Sequence, residues 1–340
     1  MVDFKYHVVS LVSVFLALAV GIILGAGPLQ GSIANTLTGQ VDALRESRDS
    51  LRTDLSRAQT ELDAANRAVV GAGEQLTAGT LTNRTVALVV APQTPDSAVA
   101  GVREQIEFAG GKITGVVTLT ENYSSAASAA YRGVLAGNLN TYVKDVPEGA
   151  SQDATVAAAV DTLVRKGTAD PDGKSLKTLL TSQDNRLLEI TQEPAEPAQA
   201  VIFITEESLY AQPAAEPSAQ ATPRANITQI YADAFGVWAL RGPAVAVGTA
   251  DVPDSTLDRI RHNGTGSTVD SSGSALANVN AAMATASALT GQQVALGVGT
   301  GANEVMGQRV DASAGAASGA ERSEAQPSAA EAPDAPEAAA

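Results

Sequence analysis

Two histidines (His7, His262) and three methionines (Met1, Met283, Met306) are the only imidazole or thioether ligands in the 340 residues, and there is no cysteine. Copper and zinc are normally held by Cys, His or Met, and no cluster of these forms in the sequence. Disulfides, Fe–S clusters and thiolate metal sites are excluded. Met283 sits in an apolar helical pattern and reads as core. Asp3, His7 and the amino terminus could form a weak site, but Tyr6 and His7 read rather as membrane-interface residues. His262 lies in Arg261-His-Asn-Gly-Thr-Gly266, with Asp258 one turn earlier. A hydrolytic triad would have to use this histidine, but no G-x-S-x-G elbow occurs, and the segment reads as a solvated polar loop. Glu206 and Glu207 follow an apolar run at the edge where α/β domains place their sites. Adjacent side chains there diverge, so a paired-acid mechanism is not indicated.

Nucleotide chemistry is also poorly supplied. A phosphate-binding fingerprint needs glycines directly after the first strand, so that backbone N–H groups reach the pyrophosphate. Here the segment is Ala91-Pro92-Gln93-Thr94-Pro95, and no Walker A pattern occurs anywhere. Gly297-Val-Gly-Thr-Gly301 could line an anion nest, but it lacks the third glycine at the required spacing and reads as a tight turn. No catalytic, cofactor-binding or metal-binding residue is assigned, and the chain reads as a non-enzyme.

Charge narrows the partners. The chain carries 22 Lys+Arg against 37 Asp+Glu, a formal net charge of -15, and only 17 % charged residues, below the roughly 25 % of an ordinary soluble domain. Nucleic-acid binding needs a basic face, and adhesion to anionic lipid needs the same excess of cations. Neither is indicated.

The elements that must position any function begin with Val8–Leu29, 22 residues without a charge. That matches the length of a membrane-crossing helix and exceeds the apolar region of a secretory signal. The stretch Leu24-Gly-Ala-Gly27, mostly of small residues, leaves a cleavage site open as the alternative. Ser13, Ala17, Gly21 and Gly25 recur every fourth residue, a small-residue face that suits close packing of membrane helices. Pro28 and Gly31 are expected to end or kink this helix. Lys5 on one side and Arg45 and Arg48 on the other do not choose an orientation.

A heptad pattern follows. One seam position holds Leu37, Leu44, Leu51, Ala58, Ala65 and Ala72. The other holds Val41, Arg48, Leu55, Leu62, Val69 and Leu76, and a mixed-charge exterior lies between them. This is the pattern of a self-associating coiled coil, thinning towards Gly71 and Gly73. Arg48 weakens the centre of the seam or sets its register.

After Gly79 strand and helix patterns alternate. Val86–Val90, Lys112–Thr120, Val201–Ile204, Ala244–Gly248 and Gln293–Val298 read as strands. Helices are expected from Asp96, as a cap, to Ala109 and near 124–139, 152–166, 175–190, 226–240 and 274–289. The pattern predicts a Rossmann-like three-layer α/β domain with a mainly parallel sheet. Ala211–Arg224, with three prolines, reads as a surface loop. Residues 311–340 hold six acids and one Arg and no Val, Ile, Leu or Phe, which predicts a disordered acidic Ala/Pro tail. The organisation is a short N-terminal tail (1–7), an anchor (8–29), a coiled-coil stalk (30–79), an α/β domain (80–310) and the tail (311–340).

Tyr6-His-Val-Val-Ser-Leu-Val-Ser-Val-Phe-Leu-Ala-Leu-Ala-Val-Gly-Ile-Ile-Leu-Gly25, then a coiled coil, then Thr85-Val-Ala-Leu-Val-Val90, resembles the actinobacterial MctB family. The likeness continues to Ser267-Thr-Val-Asp270 and the Gly-Thr-Gly301 turn, covering roughly residues 4–305. The resemblance implies a cell-envelope protein associated with copper efflux and tolerance, described for the family as an outer-membrane channel. Corynebacterial SteB-type members are similar, and are paired with a membrane protein, SteA, in cell separation. By this resemblance the N-terminus lies inside and the distal domain outside the cytoplasmic membrane. Copper enters as a cofactor by resemblance alone. A single membrane helix cannot enclose a pore, and the alternating strands of a barrel are absent. An anchored, homodimeric scaffold with a SteA-like partner is therefore the expected role, copper transport the alternative and an envelope hydrolase the remote one.

Overall fold

The computed structural model describes residues 4–26, 28–144, 150–182, 185–205 and 224–313. The chain divides into two units at Ala65/Asn66. The first contains helix α1 (Phe4–Ala26) and most of α2 (Pro28–Thr77). Pro28 opens α2, where its missing N–H costs no helical hydrogen bond. Gly31, expected with Pro28 to end or kink the first helix, lies inside α2, and that helix also continues through Gly71 and Gly73.

The second unit begins with the last turns of α2 and contains the α/β domain. Its elements are β1 (Thr85–Val90), α3 (Asp96–Phe108), β2 (Lys112–Leu119), α4 (Glu121–Ser124), a 3-10 turn (Ala126–Ser128), α5 (Ala129–Leu139), α6 (Gln152–Lys166), α7 (Pro171–Leu180), β3 (Leu188–Gln192), β4 (Ala200–Ile204), α8 (Arg224–Arg241), β5 (Ala244–Val247), α9 (Thr256–Asn263), β6 (Ser267–Val269), α10 (Ala275–Leu289) and β7 (Ala295–Leu296).

The seven strands run in the order β3-β2-β1-β4-β5-β6-β7. All neighbours are parallel except β3, which pairs antiparallel with β2. The order reverses direction between β1 and β4, as in doubly wound sheets. Continuous apolar runs make this possible, because a parallel sheet is covered on both faces. Alternate residues of β1 divide between two cores. Ala87 and Val89 join Tyr123, Phe203, Trp238 and the inner sides of α5 to α9. Val86, Leu88 and Val90 join Val102, Ile106, Val279 and Met283 of α3 and α10. The predicted three-layer arrangement is present.

The sequence reading and the structure differ at several places. Asp96 is the first helical residue of α3, not its cap; Pro95 precedes it and no side chain caps the turn. The helix expected over 175–190 ends at Leu180, and Leu188–Gln192 forms the edge strand β3. Its Leu-Glu-Ile-Thr alternation has the two-residue period of a half-buried strand, while Pro171 and the Asp170 cap start α7 earlier than expected. The last strand is only Ala295–Leu296. The polar loop expected around His262 is helix α9. Ser255 caps it by accepting the Asp258 N–H, the Asp258 carboxylate reaches back to the Asp254 N–H, and Gly264 closes it in the left-handed region. Finally, Asp311–Ser313 are not tail: Ala312 is buried and its N–H donates to the Thr80 carbonyl. The 206–223 segment, including Glu206 and Glu207, and residues 314–340 lie outside the described residues.

Candidate functional site

One tight cluster of buried polar residues lies at the β6–β7 edge of the sheet. Arg261, on α9, points its guanidinium at Asp270, just beyond β6. The two are 3.0 Å apart, with side-chain exposures of 6 % and 1 %. Arg261 also donates to the Thr268 hydroxyl and to the carbonyls of Leu296 and Thr300. The Asp270 carboxylate accepts the N–H groups of Val298 and Gly299, each at 2.9 Å, and the Ser271 hydroxyl at 2.8 Å. Gly297 adopts φ +127°, and a Cβ there would lie 2.0 Å from an Asp270 oxygen. The glycine turn is thus a nest for an anion, and the chain's own Asp270 occupies it. The tight-turn reading of Gly297–Gly301 holds, with a buried ion pair as the physical reason that neither spacing nor composition revealed.

A second buried centre escaped sequence reasoning. Asp161 on α6 takes Arg165 Nε at 2.6 Å and Arg241 Nε at 2.8 Å. Arg165 further donates to the Gln199 and Pro243 carbonyls, and Arg241 to the Lys144 carbonyl and the Thr162 hydroxyl. The Asp161/Arg165 spacing of four was a readable signal; the Arg241 contact, across the α6–α8 packing, was not. A mainly apolar groove of about 570 Å³ opens beside it, lined by Ala154, Ala158, Val237 and Leu240. Both guanidinium groups bond protein acceptors through Nε and both terminal nitrogens, so the centre ties α6, α8 and the starts of β4 and β5 together.

At the β1/β4 crossover the turn Ala91–Pro95 has no glycine. Gln93, at φ +63°, donates to Glu121 at 3.3 Å. Nearby Tyr123 is buried and stacks on Tyr231 with ring centroids 6.1 Å apart. Its hydroxyl has no hydrogen-bond partner among the described residues. Burial first, then the charge of Asp153, holds that hydroxyl protonated far above the usual tyrosine range. At the surface, the Lys166 ammonium bonded to Asp172 lowers that carboxyl's pKa, and Lys177 with Thr168 does the same for Glu193.

His262 is exposed, its Nδ1 2.8 Å from the Asp258 carbonyl oxygen and 3.3 Å from the Asp258 carboxylate. Met283 is buried in the core and Met306 packs on the same core, while His7 is on α1. Among the described residues, no group of three or more His, Cys, Asp or Glu is placed to hold a metal ion.

Phe4–Gly25 is long and apolar enough to cross a membrane. Ser13, Ala17, Gly21 and Gly25 all lie on α1, with the Ser13 hydroxyl bonded to the Val9 carbonyl. On α2 the residues expected to form a seam, Val41, Leu44, Leu51, Leu55 and Leu62, are exposed, the leucines by 59–69 %. Arg48 pairs with Asp49. Leu37 is on α2, its side chain outside the described set. Val69 and Leu76 behave differently: both pack on the domain core. Within the span 30–79 expected as stalk, Val69 and Leu76 thus belong to the domain's packing.

The family model described as "Copper transport outer membrane protein, MctB" matches residues 1–306. The chain belongs to the MctB family. Proteins named copper transporter MctB from Mycobacterium tuberculosis and Mycobacterium bovis are each 32 % identical over 136 residues, 38 % of this chain and 41 % of theirs. That of Mycobacterium leprae is 28 % identical over 138 residues, 38 % and 40 % of the two chains. The alignments thus span about two fifths of these relatives' length. The Arg261–Asp270 pair, the Ser267–Asp270 strand end and the glycine turn all fall within the span matched by the family model.

Proposed function

We propose that this MctB-family chain is a membrane-anchored, self-associating scaffold of the cell envelope. α1 spans the cytoplasmic membrane once, the α2 seam joins it to a second copy, and the α/β domain is displayed outside for a membrane partner of the SteA type in cell separation. The observation that carries this reading is the row of exposed Leu44, Leu51, Leu55 and Leu62 on one 50-residue helix. Leucines at seam positions leave apolar area in water that a second helix would bury, worth about 1.5–3 kcal/mol per fully buried side chain. The test is a pulldown from membranes with the intact chain and with a Leu44/Leu51/Leu55→Ser variant. Recovery of a membrane partner by the intact chain alone supports the reading. A deletion strain that divides normally but is copper-sensitive contradicts it.

Copper transport is the second reading, favoured by the names of the family and of its mycobacterial members. It is tested by calorimetric titration of the chain with Cu(I) and Cu(II). A site tighter than about micromolar supports a direct role in copper handling, and its absence leaves the scaffold reading in place.

A further inference from the structure

Residues 304–312 run from the sheet edge to the root of the long helix, and every step of their path is fixed. The Glu304 carbonyl accepts the Gly297 N–H at 2.9 Å. Fully buried Asn280, on α10, donates to the Val305 carbonyl at 2.8 Å and accepts the Gly307 N–H at 3.1 Å. Met306 and Val310 pack on the α3/α10 core. Arg309 then donates to three carbonyls at the end of α2: Leu76 at 2.6 Å, Ala78 at 2.9 Å and Gln75 at 3.3 Å. Ala312 closes the path, its N–H on the Thr80 carbonyl and its own carbonyl accepting the Arg84 guanidinium. The last carbonyls of a helix have no partner within it, and a cation there also opposes the helix dipole. Arg309 does both. It lies beyond residue 306, where the family match ends.

The same turns of α2 carry the end of the heptad seam. Gly73 lets the helix approach α10 so closely that a Cβ there would lie 2.2 Å from Val279. Thr77, buried on the same turn, accepts Gln105 Nε2 from α3 at 2.7 Å. Val69 and Leu76 therefore cannot face a second helix while these turns are docked.

We propose that residues 304–312 are a strap that clamps the end of α2 to the domain and so limits self-association to the seam before Val69. The limit rests on the self-association reading above; the clamp does not. Removing the strap frees the last two turns, returns Val69 and Leu76 to the seam and lets the contact between copies extend towards the domain. The strap thus controls the length of the zipper.

The test uses the whole chain in detergent or lipid nanodiscs, compared with a chain ending after Ser313, a chain ending after Met306 and an Arg309→Gln variant. Since the chain has no cysteine, Leu55→Cys or Val69→Cys introduces a unique cross-linking site. Hydrogen exchange of amides 74–80 is expected to accelerate about tenfold or more without the strap, as local opening becomes easier, and less in Arg309→Gln, while truncation after Ser313 leaves it unchanged. Leu55→Cys is expected to cross-link in every background, and Val69→Cys only where the strap is cut or weakened. Unchanged exchange in both the shortened chain and Arg309→Gln overturns the clamp. Cross-linking at Val69→Cys in the otherwise intact chain overturns the limit. Failure of Leu55→Cys to cross-link overturns the self-association reading and the limit with it, leaving the clamp to be decided by exchange alone.

Discussion

Replacing Asp270 by Ala tests whether the buried ion pair organises the β6–β7 edge. The substitution removes the carboxylate that faces Arg261 at 3.0 Å and orphans the N–H groups of Val298 and Gly299. Removing one partner of a buried pair costs about 3–5 kcal/mol, because the remaining charge is left uncompensated. Arg261 keeps its bonds to the Thr300 and Leu296 carbonyls and to the Thr268 hydroxyl, which places the cost near the lower end, about 3 kcal/mol. For a domain of this size each kcal/mol lowers Tm by about 2–4 °C, so a fall of roughly 6–12 °C is expected. The assay is thermal unfolding followed by the fluorescence of Trp238, the chain's one tryptophan, which is fully buried and packs edge-on against Phe203. Paired with Arg261→Met, the double variant should lose less than the sum of the singles, since the residues are in contact. A fall below about 2 °C, under one kcal/mol by the same scaling, or strict additivity, would refute the reasoning.

Gly73→Val should force α2 away from Val279 at a cost of about 1–3 kcal/mol from overpacking, read as a lowered Tm and faster amide exchange over 74–80. Tyr123→Phe should leave stability unchanged or raise it by about 1 kcal/mol, because it removes a buried hydroxyl that has no partner among the described residues; a loss above that size in the same melt would show a missing bond. The pKa of Tyr123 is raised on folding, so its contribution is intact below the unfolded value of about 10 and is lost as pH rises beyond it. A phenolate absorbance titration should therefore show a step that appears only on unfolding, and a reduction of that step in Tyr123→Phe assigns it.

The layers of the domain were legible because their signals are periodic. Val86–Val90, Val201–Ile204 and Ala244–Val247 are short apolar runs, and the helices over 152–166 and 275–289 bear Ser caps and long apolar faces. Strand order was not legible, because pairing joins β1 to β4 across more than a hundred residues. Helix α9 was misread because it is only eight residues long and mostly polar, although Ser255, Asp258 and Gly264 carried its start and stop signals. The ion pairs at Asp161 and Asp270 depend on Arg241 and Arg261 arriving from other elements, which no local pattern encodes. The long apolar helix α1 was plain from the length of its uncharged run. The heptad was plain too, but a heptad does not say what covers it: at Leu55 the seam is exposed, and at Val69 the chain's own domain packs on it.

Self-association through that exposed seam is the central claim, and the mass of the detergent-solubilised chain tests it most directly. Multi-angle light scattering with the detergent contribution subtracted should give a dimer or larger for the intact chain and a 34.4 kDa monomer for Leu44/Leu51/Leu55→Ser. A monomeric intact chain, or an oligomer unchanged by the three substitutions, would contradict the account.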